Sequence, residues 1–271
     1  MSTTITDTDR ARGWSLEGKS GVVTGAASGL GRESARLLAQ RGARVLLVDI
    51  NPGALEATTK SLRDEGLDVA SFVADFSDAA QIKAALEESV TRFGALDFVH
   101  NNAGALVTRP LLEVEPADLD LMLNLNVRGV FWSCRYAVEI MRSLGRGGSI
   151  VNTASILAHR GDPVLPVYTV TKHAVLGLTK AIAIDPAVAR AGIRVNCVSP
   201  GDMDTPLNDR YFDSLPDPVL ARAELEATYP GGRMAHPVEM ATAVAFLVSE
   251  DASFISGTSM VVDAGLTVNP Y

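Results

Sequence analysis

The stretch Gly21-Val22-Val23-Thr24-Gly25-Ala26-Ala27-Ser28-Gly29-Leu30-Gly31-Arg32 runs from a short apolar segment through a cluster of glycines into a segment of helical composition. Glycines at 25, 29 and 31 allow a tight turn and a close approach of backbone to a bound pyrophosphate. A helix opening near Arg32 aims its unpaired N–H groups at the same anion. The spacing GxxxGxG differs from the dinucleotide fingerprint GxGxxG, so this turn indicates a nucleotide site without fixing one by itself.

Outward from that turn, short β-rich runs alternate with longer segments of helical period. The runs are Gly21–Val23, Val45–Val48, Val69–Val73, Phe98–Val99, Ile150–Val151, Val195–Val198 and Met260–Val262. Between them, Arg32–Gln40, Ala79–Arg92, Leu119–Met141, Val167–Val188 and Val238–Val248 have helical content. Strands alternating with helices imply right-handed crossovers, so the expected fold is α/β. It is a single-domain, Rossmann-type doubly wound sheet of about seven parallel strands with helices on both faces. Residues 1–18 are expected to form a polar N-terminal extension and 19–271 one dinucleotide-binding and catalytic domain. Within it the proline-rich, acidic insertion 202–237 is read as a substrate lid, because open α/β sheets bind ligands beyond the carboxyl ends of their strands. Asp185-Pro186 interrupts the helical pattern after Lys172 and is expected to kink or end that helix.

Composition narrows the partners. With 271 residues, 47% hydrophobic and 21% charged, the chain resembles an ordinary globular domain. A net charge of -8 with no run of Lys or Arg opposes binding to phosphate backbones or anionic membranes, so neither nucleic acid nor membrane is expected. Cys134 and Cys197 lack metal-type spacing and read as buried, reduced core residues; no metal site is expected, and a cytoplasmic location fits.

The second strand ends in Asp49, roughly twenty residues past the glycines, where the adenosine ribose of a dinucleotide lies. A carboxylate there accepts hydrogen bonds from the ribose hydroxyls and repels a 2′-phosphate, which favours NAD over NADP. Asp49 has an alternative reading as a helix cap, a role open to Asn51. Asp75, ending the third strand, suits the adenine amino group, with capping by Ser77 or Asp78 as the competing reading of that turn.

Tyr168 and Lys172 are four residues apart and share one helix face. A phenol with a reference pKa of about 10 needs a neighbouring cation to act as a base near neutrality, and Lys172 is placed to provide it.

Taken in order, TGAASGLG at 24–31, Asp75, NNAG at 101–104, NLNVRG at 124–129, Ser155, YTVTK at 168–172, IRVN at 193–196 and PGDMDT at 200–205 resemble the classical short-chain dehydrogenases/reductases. The likeness runs from about Lys19 to about Leu266. It implies that Tyr168 is the acid/base, that Ser155 binds the substrate oxygen and that Lys172 also holds the nicotinamide ribose. It implies, too, that Asn126 organises a water that relays protons from Lys172. It implies cofactor contacts from Gly25, Ser28, Gly29, Leu30, Gly31, Asp49, Ile50, Asp75, Phe76, Asn102, Ala103, Gly104, Pro200, Gly201, Met203 and Thr205, with Tyr168 and Lys172, and bracing of the sheet by Asn101. It also implies a homotetramer packed through the helices around 119–141 and 167–184. His159 and His173 fall outside the catalytic set and are read as packing or lid residues.

The expected activity is hydride transfer between NAD and a secondary alcohol or ketone. Leu157, Val164 and Leu165, with Tyr211 and Phe212 in the lid, point to a fairly apolar or cyclic small-molecule substrate, hydroxysteroid-like or a cyclic alcohol, beside Ser155 and Tyr168. A 3-oxoacyl or sugar-type reductase of the same family, and a non-catalytic NAD-binding sensor, remain alternatives, because fold and catalytic machinery do not fix a substrate.

Overall fold

In the parallel sheet the apolar runs occupy both faces of each strand. The strands are β1 (Ser20–Thr24), β2 (Arg44–Asp49), β3 (Val69–Val73), β4 (Phe98–Asn101), β5 (Gly148–Thr153), β6 (Ile193–Pro200) and β7 (Ser259–Val262). They lie in the order β3-β2-β1-β4-β5-β6-β7, every neighbouring pair parallel. The structure is a computed structural model and describes residues 14–213 and 215–269.

Because both faces are covered, successive strand residues enter different cores. Val22, Leu46 and Val48 join one cluster while Val23, Val45 and Leu47 join the other. The second cluster is closed by α1 (Gly29–Gln40), α2 (Pro52–Asp64) and α10 (Pro237–Val248), through residues such as Leu38, Leu55 and Val244. The first is closed by α3 (Ala79–Phe93), α5 (Val130–Leu144) and α6 (Pro166–Ala183), through Ile82, Cys134 and Val175. The packed chain begins before the expected boundary at residue 19. Leu16 is buried in the second cluster and donates its N–H to the Arg41 carbonyl at 2.8 Å, and the Trp14 ring lies 5.6 Å from that of Phe246. The rest of the predicted extension, residues 1–13, lies outside the described residues.

Two long helical readings are divided in the structure. Leu119–Met141 is α4 (Pro116–Leu123), a π-helical turn Asn124–Gly129 and then α5. The turn lies where Gly129 passes so close to the Phe76 carbonyl that any Cβ would overlap it. After α6, Pro186 lacks the N–H to continue the helix, and the Asp185 carboxylate caps α7 (Pro186–Ala189) by accepting the Ala187 N–H at 2.7 Å. The insertion 202–237 contains two helices, α8 (Pro206–Asp213) and α9 (Pro218–Thr228), the second capped by Asp217. Among the described residues, no helix is long and apolar enough to cross a membrane.

The register sets the position of the site. Thr24 pairs with Val48, Asn101 with Asn152 and Thr153 with Val198, so the carboxyl ends of the central strands finish close to level. Strand order reverses between β1 and β4, and a crevice opens beyond the strand ends at that switch point.

Candidate active site

A cleft of about 710 Å³ lies along these carboxyl ends. One end is the glycine turn. Gly25 (φ +63°) and Gly29 (φ +53°) have left-handed backbone, and a Cβ at Gly31 would overlap the Gly25 carbonyl. The turn is therefore tight, with the start of α1 lining the cleft at Gly29 and Leu30. Ser28 stands at its N-cap without making a side-chain cap bond. Thr24 and Asn102 hold the turn to β4: Thr24 Oγ1 accepts the N–H groups of Asn102 and Ala103 at 3.0 and 2.9 Å, and Asn102 Nδ2 donates to the Thr24 carbonyl at 3.1 Å.

Asp49 and Asp75 line the same end. The Asp49 carboxylate is fixed by the N–H groups of Ala27 at 3.1 Å and Asn51 at 2.9 Å, while Asn51 itself caps α2 by accepting the Ala54 N–H. Asp75 Oδ1 accepts from the Ser77 N–H and hydroxyl, and α3 is capped instead by Asp78. Ile50, Phe76, Asn102, Ala103, Gly104, Pro200, Gly201, Met203 and Thr205 also line the cleft, whereas Gly31, packed against the Gly25 carbonyl, does not. Glycines that admit backbone to within contact, a helix start and a carboxylate at the end of β2 form a donor and acceptor set that fits a dinucleotide.

At the other end, α6 delivers Tyr168 and Lys172, and Ser155 comes from the loop after β5. Lys172 is 5% exposed; its Nζ donates to the Thr153 carbonyl at 2.8 Å and lies 5.2 Å from the centroid of the Tyr168 ring. Burial pulls the Lys172 ammonium down to about 8. Burial first, and the Asp202 carboxylate second, push the Tyr168 phenol up, while its hydrogen bond with Ser155 acts the other way. Among the causes that set the phenol here, desolvation is the largest and acts against the phenolate, opposite in direction to the depression expected from the helical pair alone.

Asn126 sits behind this surface rather than in it. It is 1% exposed on the π turn, its Oδ1 accepts the Ala105 N–H at 2.8 Å and its Nδ2 donates to the Ala105 carbonyl at 2.9 Å and to Thr171 Oγ1 at 3.3 Å. It thereby ties the loop after β4 to α6. Asn101 does the same for the strands, donating to Asn152 Oδ1 at 2.9 Å and accepting from the Ser133 hydroxyl at 2.6 Å. Cys134 is packed beside them, its thiol pushed up to about 12 by burial, and Cys197 is also a buried free thiol.

A family model described as enoyl-(acyl carrier protein) reductase matches residues 25–267. Cyclohexanol dehydrogenase of Acinetobacter sp. (strain SE19) is 38% identical over 250 residues, covering 92% of this chain and 95% of that protein. The chain belongs to the short-chain dehydrogenase/reductase family. The 3-oxoacyl-(acyl carrier protein) reductase of Thermotoga maritima is 34% identical over 253 residues, covering 93% of this chain and 99% of that one. The crystal structure of levodione reductase superposes with a TM-score of 0.90 at 35% identity, covering 94% of this chain and 100% of the other. Membership makes this an oxidoreductase fold that binds NAD or NADP.

Of the residues expected at the substrate, Ser155, Leu157, Val164, Leu165, Tyr168 and Tyr211 line the cleft. Phe212 does not. It is buried between α8 and α9, lining a separate cavity with Val219 and Arg222, because its neighbour Tyr211 takes the side of α8 that meets the cleft. His159 donates or accepts through Nε2 with Ser259 Oγ at 2.9 Å, and His173 Nδ1 meets the Thr169 carbonyl, both outside the cleft lining. Arg160, Asp162, Asp202, Leu106 and Leu207 line the cleft without having been singled out. Asp202 was within reach of the sequence, as one of the two unassigned residues of PGDMDT with Asp204; the others carry no local signal.

Proposed function

We propose that this protein transfers a hydride between NAD and a secondary alcohol or ketone of fairly apolar, cyclic character. The observation that carries the reading is the convergence of Ser155, Tyr168 and Lys172 at one end of a cleft whose other end is the glycine turn and Asp49. Gly25, Ser28, Gly29, Leu30 and Asp49 would hold the dinucleotide, with Lys172, Pro200, Gly201, Met203 and Thr205 at its nicotinamide end. When bound in its oxidised form, the nicotinamide supplies the hydride acceptor and a positive ring charge.

Ser155 and Tyr168 bind the substrate oxygen, and the Tyr168 hydroxyl is the group through which the alcohol proton leaves or returns. The Ser155 hydroxyl stabilises charge developing on that oxygen. Lys172, anchored to the Thr153 carbonyl, brings a cation against the tyrosine ring from within the protein. Asn126 is a positioning residue that sets the floor of the cleft through Ala105. Leu157, Val164 and Leu165 supply an apolar wall, which agrees with relatives that act on cyclohexanol and levodione. The segment 202–237 serves as the lid over that wall, through Leu207, Tyr211 and Leu225.

NAD is favoured over NADP because Asp49, oriented by two backbone N–H groups, places a carboxylate where a 2′-phosphate would have to lie. A panel of secondary alcohols assayed with both cofactors in parallel tests these points. Turnover of cyclic alcohols with NAD at least tenfold more efficient than with NADP, about 1.4 kcal/mol, is expected. Equal use of both cofactors removes the role given to Asp49, and tight NAD binding without any turnover returns the reading to a sensor. We propose a homotetramer, since Leu121, Phe131 and Val170 leave apolar surface exposed on α4, α5 and α6.

A further inference from the structure

The cleft lining that includes Leu157 and Leu165 is not apolar throughout. Asp202, the first residue after the Pro200-Gly201 turn, lines the cleft and is held from behind by Tyr229. The Tyr229 hydroxyl donates to Asp202 Oδ2 at 2.8 Å and accepts the Asp202 N–H at 2.5 Å. Tyr229 is itself 4% exposed, packed with Ile156, Leu157 and Leu266. Gly201 is what lets the tyrosine reach: a Cβ there would lie 2.7 Å from the hydroxyl. The backbone is tied as well, since the Asp202 carbonyl accepts the Ala235 N–H at 3.0 Å. Asp202 is thus fixed through its backbone N–H, its carbonyl and Oδ2, while Oδ1 accepts a hydrogen bond from no described residue.

An ionised carboxylate is an acceptor only, so a ligand group beside Oδ1 must bring a hydrogen-bond donor. An apolar ring pressed against it would strip its water and return nothing. Asp162, Arg160 and Arg210 line the same cleft, and a carboxylate substituent directed at Oδ1 would bring no donor and be repelled by Asp202 itself.

We infer that Asp202, braced by Tyr229, is a specificity-determining residue whose free Oδ1 accepts a hydrogen bond from a second hydroxyl on the substrate ring, so that the substrate is a cyclic diol or hydroxy ketone rather than a simple alcohol. This rests on the dehydrogenase reading of the same cleft and adds to it the substituent that Asp202 selects.

The test is kcat/KM with NAD for cyclohexanol, for the 1,2-, 1,3- and 1,4-cyclohexanediols and for 4-hydroxycyclohexanecarboxylate, in the wild type, Asp202→Ala, Asp202→Asn and Tyr229→Phe. At least one diol is expected to exceed cyclohexanol by about tenfold or more, the size of a hydrogen bond to a charged group, with the hydroxy acid below both. Asp202→Ala should bring the diol-to-cyclohexanol ratio to about one, and Asp202→Asn should keep part of it because an amide oxygen still accepts. Tyr229→Phe should lower the ratio by freeing the carboxylate. Because the readout is a ratio within each variant, a general loss of folded enzyme does not move it. Turnover of cyclohexanol with no diol preference, or a preference that survives in Asp202→Ala, overturns the assignment of Asp202 alone. No turnover of any alcohol while NADH still binds overturns the dehydrogenase reading itself.

Discussion

Burial and the Asp202 carboxylate push the Tyr168 phenol up, so the proposed role of Tyr168 as a base calls on positive charge brought to the cleft to favour the phenolate. Tyr168→Phe is expected to lower kcat by about 10²- to 10⁴-fold, the usual worth of a positioned acid/base, while NADH affinity measured by fluorescence titration changes little. His100 gives a second residue-scale prediction. It is fully buried on β4, its Nε2 3.0 Å from Thr153 Oγ1 and its Nδ1 without a partner among the described residues, and burial pushes its pKa down to about 3. Above about pH 6.5 neither the folded nor the unfolded chain binds this proton. As pH falls from there towards 3, only the unfolded chain takes it up, so stability present at neutral pH is lost at up to about 1.4 kcal/mol per unit. Urea unfolding at pH 7 and pH 5 should show this loss, and His100→Leu should reduce it by roughly 2 kcal/mol; an identical pH dependence in the variant would rule the residue out as its source.

At the scale of elements, the π turn Asn124–Gly129 links stability to the site. Gly129 lies against the Phe76 carbonyl, and the same turn carries Asn126 to the loop at Ala105. Gly129→Ala forces the turn away from Phe76 and is expected to cost about 1–3 kcal/mol, read as a lower melting temperature. Because Asn126 moves with the turn, kcat should fall as well. A variant destabilised to that extent with unchanged kcat would uncouple the turn from the site. The strands were readable as elements because burial on both faces leaves continuous apolar runs such as Val45–Val48. The break at Asp185-Pro186 was equally readable, since the missing N–H of Pro186 is a local property. The lid helices were not: α8 and α9 are short, separated by prolines and largely exposed, so their period is weak until they pack.

For the whole molecule, the exposed apolar residues of α4, α5 and α6 call for a covering surface, and a second copy of the chain is the proposed one. Light scattering after size exclusion should give about four times the 28.6 kDa chain mass, and a charged substitution such as Phe131→Glu should shift it to smaller species. A monomeric wild type would leave those helices without the proposed partner.

What the sequence determined by itself was the order of the elements and the reactive ends of the strands. Glycine, proline and continuous apolar runs act through local sterics and burial, so Gly25, Asp49 and the Tyr168–Lys172 pair were placed without coordinates. What only the tertiary structure decided was the balance of energies inside the cleft. The upward push on the Tyr168 phenol follows from how far it is desolvated on α6 and from Asp202, beyond the end of β6. The separation of Tyr211 from Phe212 follows from how α8 packs. The brace from Tyr229 to Asp202 joins residues 27 positions apart. These are sums over neighbours brought together from distant parts of the chain, and no local pattern encodes them.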